Sequence, residues 1–257
     1  MNDLFTLQGR VALVTGGSRG IGRMIAAGFL RQGAKVYITA RKADACEQTA
    51  RELSPLGPCI ALPADVSTVE ACQALAVEIG QRERALHILV NNAGAAWGED
   101  FDTFPEKGWD KVVDLNMKTP FFLTQALHAL LKAGASAERP AKVINIASID
   151  GISVNPWETY SYAASKAGLI HLTRRMALRL AQDNIVASAI APGPFASDMN
   201  KQARDHADQV AQRVPVGRIG SDEDMAGAAI FLASRAGDYV VGETVVVDGG
   251  VTLARGS

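Results

Sequence analysis

Seven short and almost wholly apolar runs recur along the chain, at 10–15 (RVALVT), 35–39 (KVYIT), 59–64 (CIALPA), 87–93 (HILVNNA), 142–148 (KVINIAS), 185–192 (IVASAIAP) and 244–249 (TVVVDG). Apolar character that continues through a run, rather than alternating, suits strands covered on both faces. Between the runs lie stretches of helical period, such as 21–33 and 69–82, the first of which ends at Gly33, a natural helix stop. Strand and helix therefore alternate from end to end. That order predicts an α/β chain: a doubly wound, Rossmann-type parallel sheet of about seven strands with helices on both faces. No Pro/Gly/Ser-rich linker and no repeat interrupts it, so residues 1–257 are expected to form a single domain. The one longer connection, 192–216, follows the carboxyl end of a strand and carries its own helical patch; it is the candidate lid on the substrate side.

At 48% hydrophobic and 21% charged, the 257 residues hold enough apolar matter for one large core. A formal net charge of −1, with Lys and Arg scattered, supplies no positive field for nucleic acid. The start MNDLFTLQGR has neither a basic head nor an apolar run, and no run approaches the roughly 20 residues of a membrane span. A cytoplasmic protein without membrane partners is expected. Cys46, Cys59 and Cys72 show no CxxC spacing and the four histidines are dispersed, so reduced thiols and no metal site are expected.

VTGGSRGIG follows the first apolar run and opens the first helical stretch. Glycines at 16, 20 and 22 let the backbone approach a pyrophosphate, and a helix start offers it free N–H groups and partial positive charge. The spacing is not GxGxxG, and a tight strand-to-helix corner needs glycines too; the position, first strand to first helix, favours a dinucleotide. The second run ends ITARK, with Arg41 where an NAD site commonly places a carboxylate against the ribose 2′-hydroxyl. A carboxylate would repel a 2′-phosphate, whereas Arg41, joined by Arg19 from the glycine turn, offers it donors. NADP is favoured over NAD, the alternative being that both arginines are solvated surface residues.

In ETYSYAASKAG, Tyr162 and Lys166 lie four apart on one helix face and Tyr160 does not share it. An ammonium beside a phenol favours phenolate. Bringing a tyrosine from about 10 toward 7 needs roughly 4 kcal/mol, within reach of a lysine and an oxidised nicotinamide shielded from water.

The pair has company. TGGSRGIG at 15–22, NNAG at 91–94, Asn116 in DLNMKTPF, Ser148 in NIASIDG, YAASK at 162–166 and PG at 192–193 resemble, in order and spacing, the short-chain dehydrogenase/reductase family. The resemblance runs from about Gly9 to VVVDGG. It implies that Tyr162 is the general acid/base, that Ser148 hydrogen-bonds the same substrate oxygen, and that Lys166 tunes the phenol while holding the nicotinamide ribose. Asn116 would hold a water that links Lys166 to solvent. The cofactor would lie on Gly16, Ser18, Arg19, Gly20, Ile21 and Gly22, with Arg41, Asp65, Val66, Asn92, Ala93 and Gly94 about its adenosine half. Pro192, Gly193, Phe195 and Ser197 match the loop at its nicotinamide end. The resemblance also implies a homotetramer in which helices at 107–132 and 160–181 pair between subunits.

One departure is that Ser148 and Tyr162 are one residue further apart than in most members, the extra residue lying in GISVNPWETYS. The turn at Asn155-Pro156 offers a loop to absorb it. Within the family the chain resembles NADPH-dependent 3-oxoacyl-(acyl-carrier-protein) reductases, and a rhamnolipid-associated branch that shares the longer loop. Trp97, Trp157 and Met199 are candidate substrate contacts with Ser148 and Tyr162; packing against loops or a partner subunit is the other reading of the tryptophans. Lys132, Arg139 and Lys142 are the candidate basic patch for an acidic carrier. A thioester on a carrier protein or coenzyme A, a free ketone and a 1,2-dicarbonyl all stay open as the carbonyl substrate. The competing class is a non-catalytic dinucleotide-binding sensor or scaffold, which would not need Asn116, Ser148, Tyr162 and Lys166 together.

Overall fold

The computed structural model describes residues 3–254. Seven strands, β1 (Val11–Thr15), β2 (Lys35–Thr39), β3 (Cys59–Ala61), β4 (Ile88–Asn91), β5 (Ala141–Ile146), β6 (Ile185–Pro192) and β7 (Thr244–Val247), form one parallel sheet in the order β3-β2-β1-β4-β5-β6-β7. Each predicted run supplies one strand. The third is shorter than expected, ending at Ala61, although Leu62 N still donates to Ile38 O (2.9 Å) and Ala64 N to Ala40 O (3.1 Å). The helices are α1 (Gly20–Arg31), α2 (Ala43–Leu53), α3 (Val69–Arg82), α4 (Glu106–Val113), α5 (Thr119–Ala126), α6 (His128–Ala133), α7 (Tyr160–Leu180), α8 (Lys201–Asp205), α9 (Ala207–Ala211) and α10 (Asp222–Ala233).

Successive strand residues face opposite sides, so each apolar run feeds two cores. Val14, Ile38, Val90 and Ile144 pack with Ile25 and Phe29 of α1 and with Met225 and Leu232 of α10. Leu13, Leu89 and Val143 pack on the other face with Leu75 and Ile79 of α3, Leu123 of α5 and Met176 and Leu180 of α7. Each such side chain, fully buried, contributes about 1.5–3 kcal/mol relative to exposure.

The stretch at 107–132 is not one helix. A π-helical turn, Asp114–Lys118, separates α4 from α5, and a break at Leu127 separates α5 from α6. The strand order reverses between β1 and β4, and loops that leave the sheet there at the carboxyl ends diverge to opposite faces, opening a crevice. Among the described residues no helix is long and apolar enough to cross a membrane, and no cluster of three metal-ligating side chains occurs.

Candidate active site

Loops from the carboxyl ends of β1, β4, β5 and β6 meet at that crevice. Thr15 ties two of them together: its Oγ1 accepts from the N–H groups of Asn92 and Ala93, both at 2.9 Å. Asn92 Nδ2 donates back to the carbonyls of Thr15 (2.8 Å) and Gly16 (3.2 Å). A Cβ on Gly22 would fall 2.4 Å from the Gly16 carbonyl oxygen and 2.5 Å from Asn92 Nδ2, so the corner closes only on glycine, and Gly16 itself takes a left-handed φ of 65°. The N-terminus of α1 has no side-chain cap and no acid in its first turn. Its leading N–H groups are therefore available, and with the dipole they fit a pyrophosphate. Within the turn Ser18 is half-buried and its carbonyl accepts from Thr49, while Ile21 packs on the first core.

The end of β2 is free of carboxylates: Ala40 is followed by the exposed Arg41. Arg19, also exposed, is ion-paired with Asp198, whose other oxygen accepts from Arg204 of α8 at 2.6 Å. Asp198 thus bridges the glycine turn to the connection after β6. Asp65 is exposed and its carboxylate accepts from Ser67 N. Val66, however, buries its side chain in the second core, Phe195 is 2% exposed in the first, and the Asn92 amide is spent on the glycine turn. The side chains of these three are thus used as anchors within tight loops. Ala93 and Gly94 are half-buried in the β4 loop, and Pro192 and Gly193 close β6, with Gly193 N donating to Val247 O. Ser197 lies beside Gly20, where a Cβ would sit 3.2 Å from its own.

Ser148, buried, follows β5, and its Oγ accepts from Asp150 N at 3.1 Å. Tyr162 and Lys166 extend from the first turns of α7, the Lys166 Nζ lying 5.6 Å from the centre of the Tyr162 ring. Burial pushes the phenol up to about 12, opposed by its hydrogen bond with Ser148 and reinforced by Asp150. Burial likewise pulls Lys166 down to about 8, which nearby Asp150 counters. The depression of the phenol expected from the sequence is therefore absent from the protein's own groups; Lys166 spends a donor on Ile146 O at 2.7 Å. Asn116 sits in the π turn with its amide fixed: Oδ1 accepts from Ala95 N (2.8 Å), and Nδ2 donates to Ala95 O (2.9 Å) and Ser165 Oγ (3.1 Å). The widened turn is what brings this buried side chain across to α7, and π turns recur at functional sites for that reason.

The substrate side divides. Trp97 packs under Gly108 of α4, with the Lys111 ammonium 5.5 Å from its ring, and so reads as wall. Trp157 is exposed on the 152–159 loop with its N–H held by Asn155, and Ile152 and Val154 are exposed beside it. Met199 reaches to 3.8 Å of the position a Cβ on Gly94 would take. Tyr160 faces away, edge-on to Phe101 and Phe104. The 152–159 loop is tied to the β4 loop by Glu99 N donating to Glu158 O.

The candidate carrier patch is corrected. Lys132 is paired to Asp183 (2.8 Å), and Lys142 is 1% exposed at the amino end of β5, opposite the crevice, beside Arg139. What sequence reasoning missed was support: Thr15, Ser165, and a buried chain in which Asn91 Nδ2 donates to Asn145 Oδ1 (2.8 Å) and Asn145 Nδ2 to Thr173 (2.9 Å). Asparagines inside apolar runs were the available signal.

A family model described as Enoyl-(Acyl carrier protein) reductase matches residues 16–252. The rhamnolipids biosynthesis 3-oxoacyl-[acyl-carrier-protein] reductase of Pseudomonas aeruginosa is 46% identical over 256 residues, 98% of this chain and 100% of the relative. The chain belongs to the short-chain dehydrogenase/reductase family. The solved RhlG/NADP active-site complex from Pseudomonas aeruginosa superposes with a TM-score of 0.95 at 46% identity, over 98% of this chain and 100% of that one. A 2-dehydro-3-deoxy-D-gluconate 5-dehydrogenase of Dickeya dadantii is 38% identical over 262 residues, 98% of this chain and 99% of its own. The protein is thus an NADP-dependent oxidoreductase of this family, acting between a carbonyl and a secondary alcohol.

Proposed function

We propose that this dehydrogenase/reductase reduces a 3-oxoacyl thioester, with Tyr162 as general acid. The observation that carries the reading is the convergence of Ser148, Tyr162 and Lys166, in a fold whose first helix has an uncapped start that suits a pyrophosphate. Gly16, Ser18, Arg19, Gly20, Ile21 and Gly22 would hold the phosphates, Arg41 the 2′-phosphate, and the β4 and β6 loops the remainder. NADPH supplies the hydride when bound. Ser148 donates to the substrate oxygen as negative charge develops there, and Tyr162 delivers the proton that makes it a hydroxyl. Lys166 keeps a positive charge close to the phenol that has lost its proton, and Asn116 fixes the π turn against α7, along the route by which that proton is replaced.

Ile152, Val154, Trp157 and Met199 support an acyl chain better than a sugar acid, because they offer exposed apolar surface on the loop between Ser148 and Tyr162 and on the segment after β6. The segment 192–216 would close over it as a lid, held to the glycine turn through Asp198. A homotetramer is supported by an open groove of about 350 Å³ between α5 and α7, lined by Phe121, Leu172, Met176 and Leu180, and by β7 at the sheet edge. Free cysteines at 46, 59 and 72 accord with a cytoplasmic setting.

The test is NADPH oxidation followed at 340 nm with acetoacetyl thioesters, free ketones, diketones and keto-sugar acids, repeated with NADH. Highest kcat/KM on the thioesters is expected. Preference for a keto-sugar acid would displace the acyl reading, and no turnover with any carbonyl would favour a dinucleotide sensor.

A further inference from the structure

The turn after Ser148 carries a carboxylate that the proton transfer to the carbonyl does not use. Residues Ile149–Gly151 form a single 3₁₀ turn, and Asp150 N donates to Ser148 Oγ at 3.1 Å. That bond occupies an acceptor position of the hydroxyl and leaves its proton for a substrate oxygen. The turn is pressed onto α7: a Cβ on Gly151 would fall 2.6 Å from the Lys166 carbonyl carbon and 2.8 Å from Ala167 N. Asp150, half-buried, is thereby held between Ser148 and the turn of α7 that bears Lys166. Its charge reaches both members of the pair, raising Tyr162 and Lys166 alike, as an anion near a phenol and an ammonium must. Among the described residues no Lys, Arg or His side chain forms an ion pair with it.

A carboxylate at this place bears on which carbonyl compounds enter. The Lys166 ammonium, on its own, would draw in a substrate that carries a negative charge beside its carbonyl; Asp150 offsets that attraction. The flanking loops supply no other cation to restore it. Residues 94–105 and 148–161 hold Glu99, Asp100, Asp102, Asp150 and Glu158 and no Lys, Arg or His. In the 192–216 segment Arg204 is spent on Asp198 (2.6 Å) and Asp205 (2.7 Å). Like charges brought together where water is partly excluded lose at least about tenfold in affinity. An ester or thioester presents no charge at that position and loses nothing.

We propose that Asp150 is a specificity-determining residue of the reduction, its carboxylate turning away compounds that carry a carboxylate beside the reacting carbonyl and so reserving the site for esters and thioesters. The inference rests on the reading that Ser148 and Tyr162 serve the substrate oxygen. The test compares acetoacetate with its neutral methyl ester and N-acetylcysteamine thioester, at pH 7 with the full-length chain saturated with NADPH. In the unaltered protein kcat/KM for the better neutral compound should exceed that for the acid by at least about tenfold. Asp150→Asn, which keeps the backbone N–H and removes the charge, should narrow that ratio by about tenfold, chiefly through a lower KM for the acid. Asp150→Glu, which keeps the charge, should preserve the preference. A smaller ratio in the unaltered protein overturns the proposal without recourse to any variant, and so does a ratio that Asp150→Asn leaves in place or that both variants shift equally. Failure of all three compounds to react would instead defeat the reading beneath it, and the inference with it.

Discussion

The ammonium of Lys166 lies 5.6 Å from the centre of the Tyr162 ring, and burial moves the two groups in opposite directions, the phenol up to about 12 and the ammonium down to about 8. At neutral pH the phenol therefore holds its proton while the lysine still carries its charge. That is the state an acid catalyst needs before reduction. Replacing Tyr162 with Phe keeps the ring and removes the proton donor. Turnover should fall by about 10²–10⁴-fold while NADPH affinity, read by fluorescence titration, changes by no more than about threefold. Turnover within tenfold of the parent would defeat the assignment.

The same pair sets a pH dependence. Above about 8 the Lys166 ammonium loses its proton and with it the charge that steadies the phenol after proton transfer. The kcat/KM for reduction should fall as pH rises through about 8, with little change between 6 and 7. A profile flat to about pH 10 would show that the lysine charge is irrelevant to the rate.

Much of this was legible in the sequence because strand and helix periods are local. Each apolar run yielded a strand, and Tyr162 met Lys166 because four residues is one helical turn. What was not legible depended on burial by distant segments. The Tyr162 phenol rises because folding buries it in part and sets it near Asp150, and no spacing within YAASK encodes that. Phe195 and Val66 read as cofactor neighbours from their motifs, yet the fold uses their side chains as anchors for the loops. The π turn at Asn116 was hidden for a related reason: it widens a helix only because Ala95 and Ser165 hold its side chain from outside.

Arg19 is ion-paired with Asp198, so a 2′-phosphate that seeks this guanidinium competes with a carboxylate of the 192–216 segment. Asp198→Asn should therefore tighten NADPH several-fold and leave NADH nearly unchanged, since NADH has no phosphate to gain. Arg41→Asp should act in reverse, removing a phosphate contact and adding repulsion, and shift the NADPH/NADH ratio of kcat/KM toward NADH by about tenfold or more. Ratios of Kd and kcat/KM measured with both cofactors decide. If Asp198→Asn weakens both cofactors equally, the carboxylate serves loop structure alone.

His87 gives the fold an acid limit unrelated to catalysis. Its Nδ1 accepts from Val11 N at 3.0 Å, a role open only to the neutral ring, and burial beside Arg10 and Arg139 pushes it down to about 4. In the unfolded chain the same group titrates near about 6.5. Between those values the unfolded state binds the extra proton, so stability is fully present above about 6.5 and declines as pH falls toward 4. The loss attributable to this group is at most about 3 kcal/mol. His87→Asn supplies an acceptor that does not titrate, so its urea midpoint should drop less between pH 7 and 4.5 than that of the parent. Equal drops would mean that carboxylates, and not the His87 ring, set the acid limit.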